Sequence, residues 1–153
     1  MRIGICAPST PFTREDAARV TALAAHNFPT ANLIFHDQCF AEDGHFAGPD
    51  NARVAAFVDL ANDPDFDAVW FVRGGYGACR IAQDAVAALK WAAGDKIYMG
   101  YSDAGNLLGA LYGAKIGRVC HGPMPADVRR NGGEAALLRA LDWMLHASPQ
   151  ALE

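Results

Sequence analysis

Short apolar runs alternate along the chain with longer segments whose apolar residues recur at helical spacing. Val20 is followed three and four residues later by Leu23 and Ala24, which predicts an amphipathic helix capped by Thr13. Residues 68–72 (AVWFV) are apolar throughout, as expected of a strand buried on both faces of a parallel sheet. Alternation of these two kinds of segment is typical of α/β proteins.

The pattern predicts four or five parallel strands, at residues 2–7, 31–36, 67–72, 96–100 and 118–120. Helices are predicted over residues 13–27, from Asp50 past Ala61, over 78–89, from after Asp103 to 114, and over 134–146. Asp50 is expected to cap its helix, and residues 37–49 are predicted to form a loop. We therefore expect an open, mainly parallel, flavodoxin-like sheet with helices on both faces, in three layers.

Composition narrows the classes of function. The chain has 153 residues, of which 52% are hydrophobic, enough to bury a core as one soluble domain. A net charge of −4 argues against nucleic acid as a partner, because phosphate binding needs a basic surface. No apolar run is long enough to predict a membrane span. The four cysteines form no C-x-x-C pair, which favours free thiols and a cytoplasmic location. The spacing of His36 and His45 fits no common metal motif, and neither a metal nor another cofactor is expected.

In parallel sheets, ligands bind beyond the carboxyl ends of the strands, and two unusual loops are predicted there. One is Gly100-Tyr101-Ser102-Asp103-Ala104, which sets a serine on a tight strand-to-helix turn, as in a nucleophile elbow. The backbone N–H of Asp103 would then be the natural first donor to an oxyanion. The alternative is that Ser102 only caps the following helix.

The other loop is Arg73-Gly74-Gly75-Tyr76-Gly77. Adjacent glycines allow the backbone to approach a ligand closely or to turn N–H groups toward it. Dinucleotide binding is poorly supported, because the G-x-G-x-x-G pattern that begins at Gly75 ends in Arg80.

A cysteine nucleophile is a second possibility for the chemistry. Cys79 follows the glycine loop near a predicted helix N-terminus, where the pKa of a thiol can fall, and His121 could serve as its base. The alternatives are that Cys79 fills space behind the loop and that His121 is a hydrogen-bonded structural residue.

Five segments, taken together, resemble the LD-carboxypeptidase family of serine peptidases, which includes murein tetrapeptide carboxypeptidases and microcin-immunity peptidases. They occur in family order along nearly the whole chain. The segments are Ile5-x-Ala7-Pro8-Ser9, Phe46-Ala47-Gly48-x-Asp50-x-x-Arg53, Arg73-Gly74-Gly75-Tyr76-Gly77-x-x-Arg80, Gly100-Tyr101-Ser102-Asp103 and His121-Gly122-Pro123-Met124.

The resemblance implies roles for particular residues. Ser102 matches the family's nucleophile, and the oxyanion hole would be formed by the N–H groups of Asp103 and Gly75, with Gly74 as the second candidate for the latter. The candidates for the substrate pocket are Arg73, Gly74, Tyr76 and His121.

The resemblance also implies an activity. Family members cleave the amide bond between an L-configured centre and a terminal D-amino acid, typically releasing D-alanine from cytoplasmic murein tetrapeptides during cell-wall recycling. They generally form homodimers, so a homodimer is expected here, and they need no metal.

The family's Glu and His, which complete the catalytic triad, lie in a C-terminal domain. No motif of that domain occurs in residues 1–153, so we expect an N-terminal, nucleophile-bearing domain whose C-terminal domain is absent and which is inactive by itself. Two alternatives stay open: a non-catalytic module that binds peptidoglycan fragments, and a flavodoxin-like domain that binds a small molecule.

Overall fold

The computed structural model describes residues 1–146, and within them five strands form one parallel sheet. The strands are β1 (Arg2–Cys6), β2 (Asn32–Phe35), β3 (Ala68–Phe71), β4 (Ile97–Gly100) and β5 (Arg118–His121). Their order is β2-β1-β3-β4-β5, and every neighbouring pair is parallel. This is the flavodoxin-like order, and the predicted fold class is confirmed. The predicted domain range of 1–153 extends over residues 147–153, which lie outside the described residues.

Helices cover both faces of the sheet. They are α1 (Arg14–Asn27), α2 (Asp50–Asn62), α3 (Ala78–Ala87), α4 (Gly105–Gly113) and α5 (Gly133–His146). α1 and α5 share one core cluster with the strands, while α2, α3 and α4 share the other. Trp70 belongs to the first cluster, and its neighbours Val69 and Phe71 belong to the second. Because successive strand residues point to opposite faces, this double coverage explains why residues 68–72 are continuously apolar.

The helix starts test two of the predicted caps. Thr13 does cap α1, since its hydroxyl accepts a hydrogen bond from the N–H of Asp16 at 3.2 Å. The prediction for Asp50 is wrong: α2 begins at that residue, Pro49 occupies the cap position, and no side chain caps the helix. The Asp50 carboxylate instead accepts hydrogen bonds from two arginines, Arg53 and Arg80. Ion pairing of the carboxylate therefore replaces the expected capping.

The predicted loop at 37–49 begins with a short 3₁₀ turn, Asp37–Phe40. Gln38 is buried there, and its amide donates to the carbonyl of Ala7 at 2.9 Å and accepts from the N–H of Ala7 at 3.1 Å. The same amide also binds the carbonyl of Ala47. The segment is thus fixed to the end of β1 although it has no hydrophobic periodicity. Among the helices of residues 1–146, none is long and apolar enough to cross a membrane.

Candidate active site

The site lies beyond the carboxyl ends of β1, β3 and β4, where three loops meet. In this strand order the connections from β1 and β3 run to opposite sides of the sheet, which opens a crevice between these strands. The loop after β1 contains Ser9 and Thr10, both buried. The loop after β3 contains Gly74 and Gly75, and Ser102 follows β4. Because β4 pairs with β3, the two loops expected to carry the chemistry lie side by side.

Ser102 has an unusual backbone conformation. Its φ is 59°, in the left-handed region that residues with a side chain seldom adopt, and such strain is typical of a nucleophile elbow. Ser102 is exposed and begins the 3₁₀ turn Ser102–Ala104, which leads into α4. The cap positions of the turn and of α4 are Tyr101 and Ala104, and neither side chain forms a cap bond. Ser102 therefore does not cap the helix, and its hydroxyl makes no hydrogen bond within residues 1–146.

The glycine loop approaches Ser102 at Gly74. A Cβ placed on Gly74 would lie 2.9 Å from the Oγ of Ser102 and 3.3 Å from the backbone nitrogen of Asp103, so a residue other than glycine would displace Ser102. The Gly74 carbonyl accepts a hydrogen bond from the Thr10 hydroxyl at 2.7 Å. Because the peptide is planar and trans, the N–H of Gly75 points away from Thr10. Gly75 itself has a φ of 123°, which also favours glycine.

The Asp103 carboxylate fastens the serine turn to its surroundings. One of its oxygens accepts hydrogen bonds from the Ser9 hydroxyl at 2.6 Å and from the N–H of Ala78 at 2.9 Å. The other accepts from the side chain of Asn106 at 3.1 Å. Ala78 is the first residue of α3, so the carboxylate also faces the positive end of that helix. The side chain of Asp103 is thus structural, while its backbone N–H stays at the start of the serine turn, where no intrahelical acceptor exists.

A second layer lies beneath the glycine loop. Arg53 is fully buried, and its guanidinium donates to the carbonyls of Pro8, Gly77 (2.9 Å) and Gly48 (3.2 Å) and pairs with Asp50. Each of these partners belongs to one of the sequence motifs singled out above. The motifs are therefore in physical contact, with Arg53 holding the loops after β1 and β3 together.

Ser102 lines a cavity of about 270 Å³. Its lining includes three arginines, and the lining residues are Arg73, Gly74, Gly75, Tyr101, Ser102, Met124, Ala126, Asp127, Arg129 and Arg130. Asp127 is buried and accepts hydrogen bonds from the Tyr101 hydroxyl at 2.7 Å and from the N–H of Met124 at 2.8 Å. Burial, reinforced by this Asp127 carboxylate, raises the pKa of Tyr101. Tyr101 is therefore a neutral phenol at ordinary pH, and it forms one wall of the cavity.

The other predicted site residues lie outside this cavity. His121 lines an adjoining cavity of about 460 Å³, which shares Tyr101 as a wall, and the His121 and Tyr101 rings meet at a centroid distance of 5.9 Å. Tyr76 is half exposed and packs on Phe46. Cys79 is exposed, so it does not fill space behind the loop, and it lines neither cavity.

Sequence reasoning missed the supporting residues: Ser9, Thr10, Arg53 and Asp127. Ser9 and Arg53 stand inside the quoted motifs, so a signal for them existed. Thr10 and Asp127 lie just beyond two of those motifs, where nothing in spacing or composition distinguishes them.

These features define a flavodoxin-like α/β domain with an exposed serine on a strained strand-to-helix turn beside a glycine loop. The family model for the LD-carboxypeptidase N-terminal domain matches residues 3–122, and the chain belongs to this family. The family is serine carboxypeptidase-like, and enzymes of this kind are hydrolases.

Two curated relatives carry provisional carboxypeptidase names. The one from Streptomyces coelicolor is 39% identical over 89 residues, which cover 55% of this chain and 27% of that protein. The one from Rickettsia conorii is 32% identical over 103 residues, which cover 66% of this chain and 31% of that protein. The chain thus spans less than a third of either relative.

Solved structures share the fold. The muramoyltetrapeptide carboxypeptidase from Oxalobacter formigenes matches with a TM-score of 0.74 at 25% identity, over 97% of this chain and 49% of that chain. The microcin C7 self immunity protein MccF matches with a TM-score of 0.70 at 21% identity, over 97% of this chain and 45% of that chain. At that identity the likeness to MccF concerns the fold alone.

Proposed function

We propose that this chain supplies the nucleophile and the oxyanion donors of a serine LD-carboxypeptidase. The observation that carries the proposal is the left-handed Ser102, whose hydroxyl would lie 2.9 Å from a Cβ placed on Gly74. Membership of the LD-carboxypeptidase N-terminal domain family supports it.

In the proposed reaction, the Ser102 hydroxyl attacks the carbonyl carbon of the L–D amide and loses its proton to a base. The carbonyl oxygen becomes an oxyanion, which the N–H groups of Asp103 and Gly75 stabilise, with Gly74 as the second candidate. The protonated base then gives its proton to the departing amine, and the C–N bond breaks. Water hydrolyses the resulting ester and regenerates Ser102.

The base is expected to come from outside residues 1–146. Within them, no imidazole or carboxylate accepts a hydrogen bond from Ser102, and His121 lines the adjoining cavity. The resemblance points to a Glu and a His of a C-terminal domain. We therefore expect residues 1–153 alone to hydrolyse substrate slowly. The resemblance further implies that the substrate is a cytoplasmic murein tetrapeptide, cleaved at its D-amino acid end, and that the protein forms a homodimer. No metal or other cofactor takes part in this mechanism.

The test is D-alanine release from an LD-tetrapeptide by the chain alone and by the chain with a family C-terminal domain, fused or co-expressed. We expect little release by the chain alone, clear release by the pair, and none by the pair carrying Ser102→Ala. Labelling of Ser102 by a fluorophosphonate in the pair checks the nucleophile separately, with the pair carrying Ser102→Ala as the control. Robust release by the chain alone that is lost in His121→Ala would instead make His121 the base.

A second candidate is a non-catalytic module that binds peptidoglycan fragments, and the absence of a base beside Ser102 within the described residues favours it. It predicts tight tetrapeptide binding with no release by either the chain or the pair. Ser102→Ala would then leave the affinity unchanged.

A further inference from the structure

The cavity beside Ser102 contains more positive than negative charge. Its lining residues include three arginines, Arg73, Arg129 and Arg130, and a single acidic residue, Asp127. Arg129 is neutralised by Asp16, which accepts from its Nε at 2.7 Å, and Arg130 lies 3.3 Å from Asp127. Arg73 forms no ion pair within residues 1–146. It is therefore the cavity's uncompensated cation.

Arg73 is also positioned by the backbone. Its Nη1 donates to the carbonyl of Pro11 at 3.2 Å, which fixes the guanidinium while leaving other N–H donors free, since the group has five. Arg73 directly precedes Gly74, on which a Cβ would lie 2.9 Å from the Oγ of Ser102. Arg73, whose guanidinium is held in place and keeps spare donors, thus lines the same cavity as Ser102.

We propose that Arg73 binds the free α-carboxylate of the C-terminal residue that the site releases. This inference rests on the proposed function and adds to it the residue that selects a terminal peptide bond. A planar guanidinium binds a carboxylate through two parallel N–H···O bonds. An internal peptide bond, or a peptide ending in an amide, has no charge to offer there. Arg73 is thus a specificity-determining residue that distinguishes a free carboxyl terminus from a blocked one.

A purely structural role for Arg73 makes a different prediction. If Arg73 served only to hold the loop after β1 through Pro11, its replacement would disturb binding of every peptide equally. The quantity that separates the two roles is therefore the ratio of affinities for a free acid and for its amide, not the affinity for either alone.

The experiment is calorimetric titration of the full chain, bearing Ser102→Ala to prevent turnover, with an LD-tetrapeptide and with the same peptide amidated at its C-terminus. We expect the free acid to bind at least tenfold more tightly. Arg73→Met should weaken binding of the acid by about 10- to 100-fold, as expected for hydrogen bonds between charged groups, and leave binding of the amide nearly unchanged. Arg73→Lys, which keeps the charge but loses the fork, should show a smaller loss that is again confined to the acid.

Arg14→Met is the matched control, because it removes the same charge from an exposed position on α1 outside the cavity. It should leave the acid-to-amide ratio unchanged, and circular dichroism should show that each variant is folded. Equal losses for acid and amide in both Arg73 variants, no loss in either, or no binding of the acid by the parent chain would each overturn the inference. If the proposed function holds, a fluorophosphonate would still label Ser102 in all three cases when the chain that retains this serine is paired with a family C-terminal domain, so the two failures are distinguishable.

Discussion

Removal of the Asp103 carboxylate should destabilise the domain far more than removal of the neighbouring Ser102 hydroxyl. Asp103→Ala leaves two donors without their acceptor, the hydroxyl of the fully buried Ser9 and the N–H of Ala78. Each buried donor left unsatisfied costs about 1–3 kcal/mol, so we expect a loss of about 2–6 kcal/mol in the free energy of unfolding. Asp103→Asn keeps one oxygen in place for both donors and should cost less.

Urea unfolding at constant pH measures these differences, and Ser102→Ala is the matched control. The Ser102 hydroxyl makes no hydrogen bond within residues 1–146, and alanine has a Cβ like serine, so the backbone strain is unchanged. Its loss should stay within about 0.5 kcal/mol. Equal stability of Asp103→Ala and Ser102→Ala would refute the assignment of Asp103 as the structural tie between the three loops.

Three further predictions concern the layers around the site. Arg53→Met removes a buried cation from four partners and should cost about 3–5 kcal/mol in urea unfolding, whereas Arg80→Met removes an exposed one and should cost much less. The guanidinium of Arg129, which donates a hydrogen bond to Asp16, lowers the pKa of that carboxyl. Near pH 4 the unfolded chain therefore binds more protons at Asp16 than the folded chain does. The ionised Asp16 carboxylate therefore stabilises the fold above about pH 4, and this stabilisation is lost as the pH falls through the pKa of Asp16 in the folded chain. Between pH 7 and pH 3, the urea midpoint should therefore fall less steeply on acidification in Asp16→Asn than in the parent chain. Gly74→Ala puts a Cβ 2.9 Å from the Ser102 oxygen and should abolish fluorophosphonate labelling of the chain paired with a family C-terminal domain, although circular dichroism should show a folded domain; labelling at the rate of the unmutated pair would contradict the close approach.

The fold could be predicted from the sequence because strands and helices leave different hydrophobic periods. Residues 68–72 required a doubly covered strand, and the sheet provides it. The wrong capping prediction for Asp50 has a specific cause. A carboxylate at a helix start can bind the helix backbone or an arginine, and Asp50 binds two arginines: Arg53, three residues away, and Arg80, 30 residues away. The local sequence contains only the first of these partners.

For the candidate site, the position of the two loops could be predicted from the sequence, but the contacts that hold them could not. Ser102 and the glycine loop follow strands at an edge where the topology must bring them together. The contacts that hold them, from Thr10 to Gly74 and from Ser9 to Asp103, join residues 64 and 94 positions apart. Contacts between residues so far apart depend on the fold and produce no periodic pattern in the sequence.

The two carboxylates near Ser102, those of Asp103 and Asp127, already accept hydrogen bonds from other groups. Asp103 follows the serine directly, but one of its oxygens already accepts from Ser9 and Ala78. Asp127 lines the same cavity, but it is engaged by Tyr101 and by the N–H of Met124. A carboxylate whose lone pairs are committed to structural donors is a poor acceptor for a serine proton. Under the proposed function, the described residues would therefore hold Ser102 and the N–H donors, and proton transfer would fall to a group from elsewhere. Without that group the serine hydroxyl would stay neutral and weakly nucleophilic.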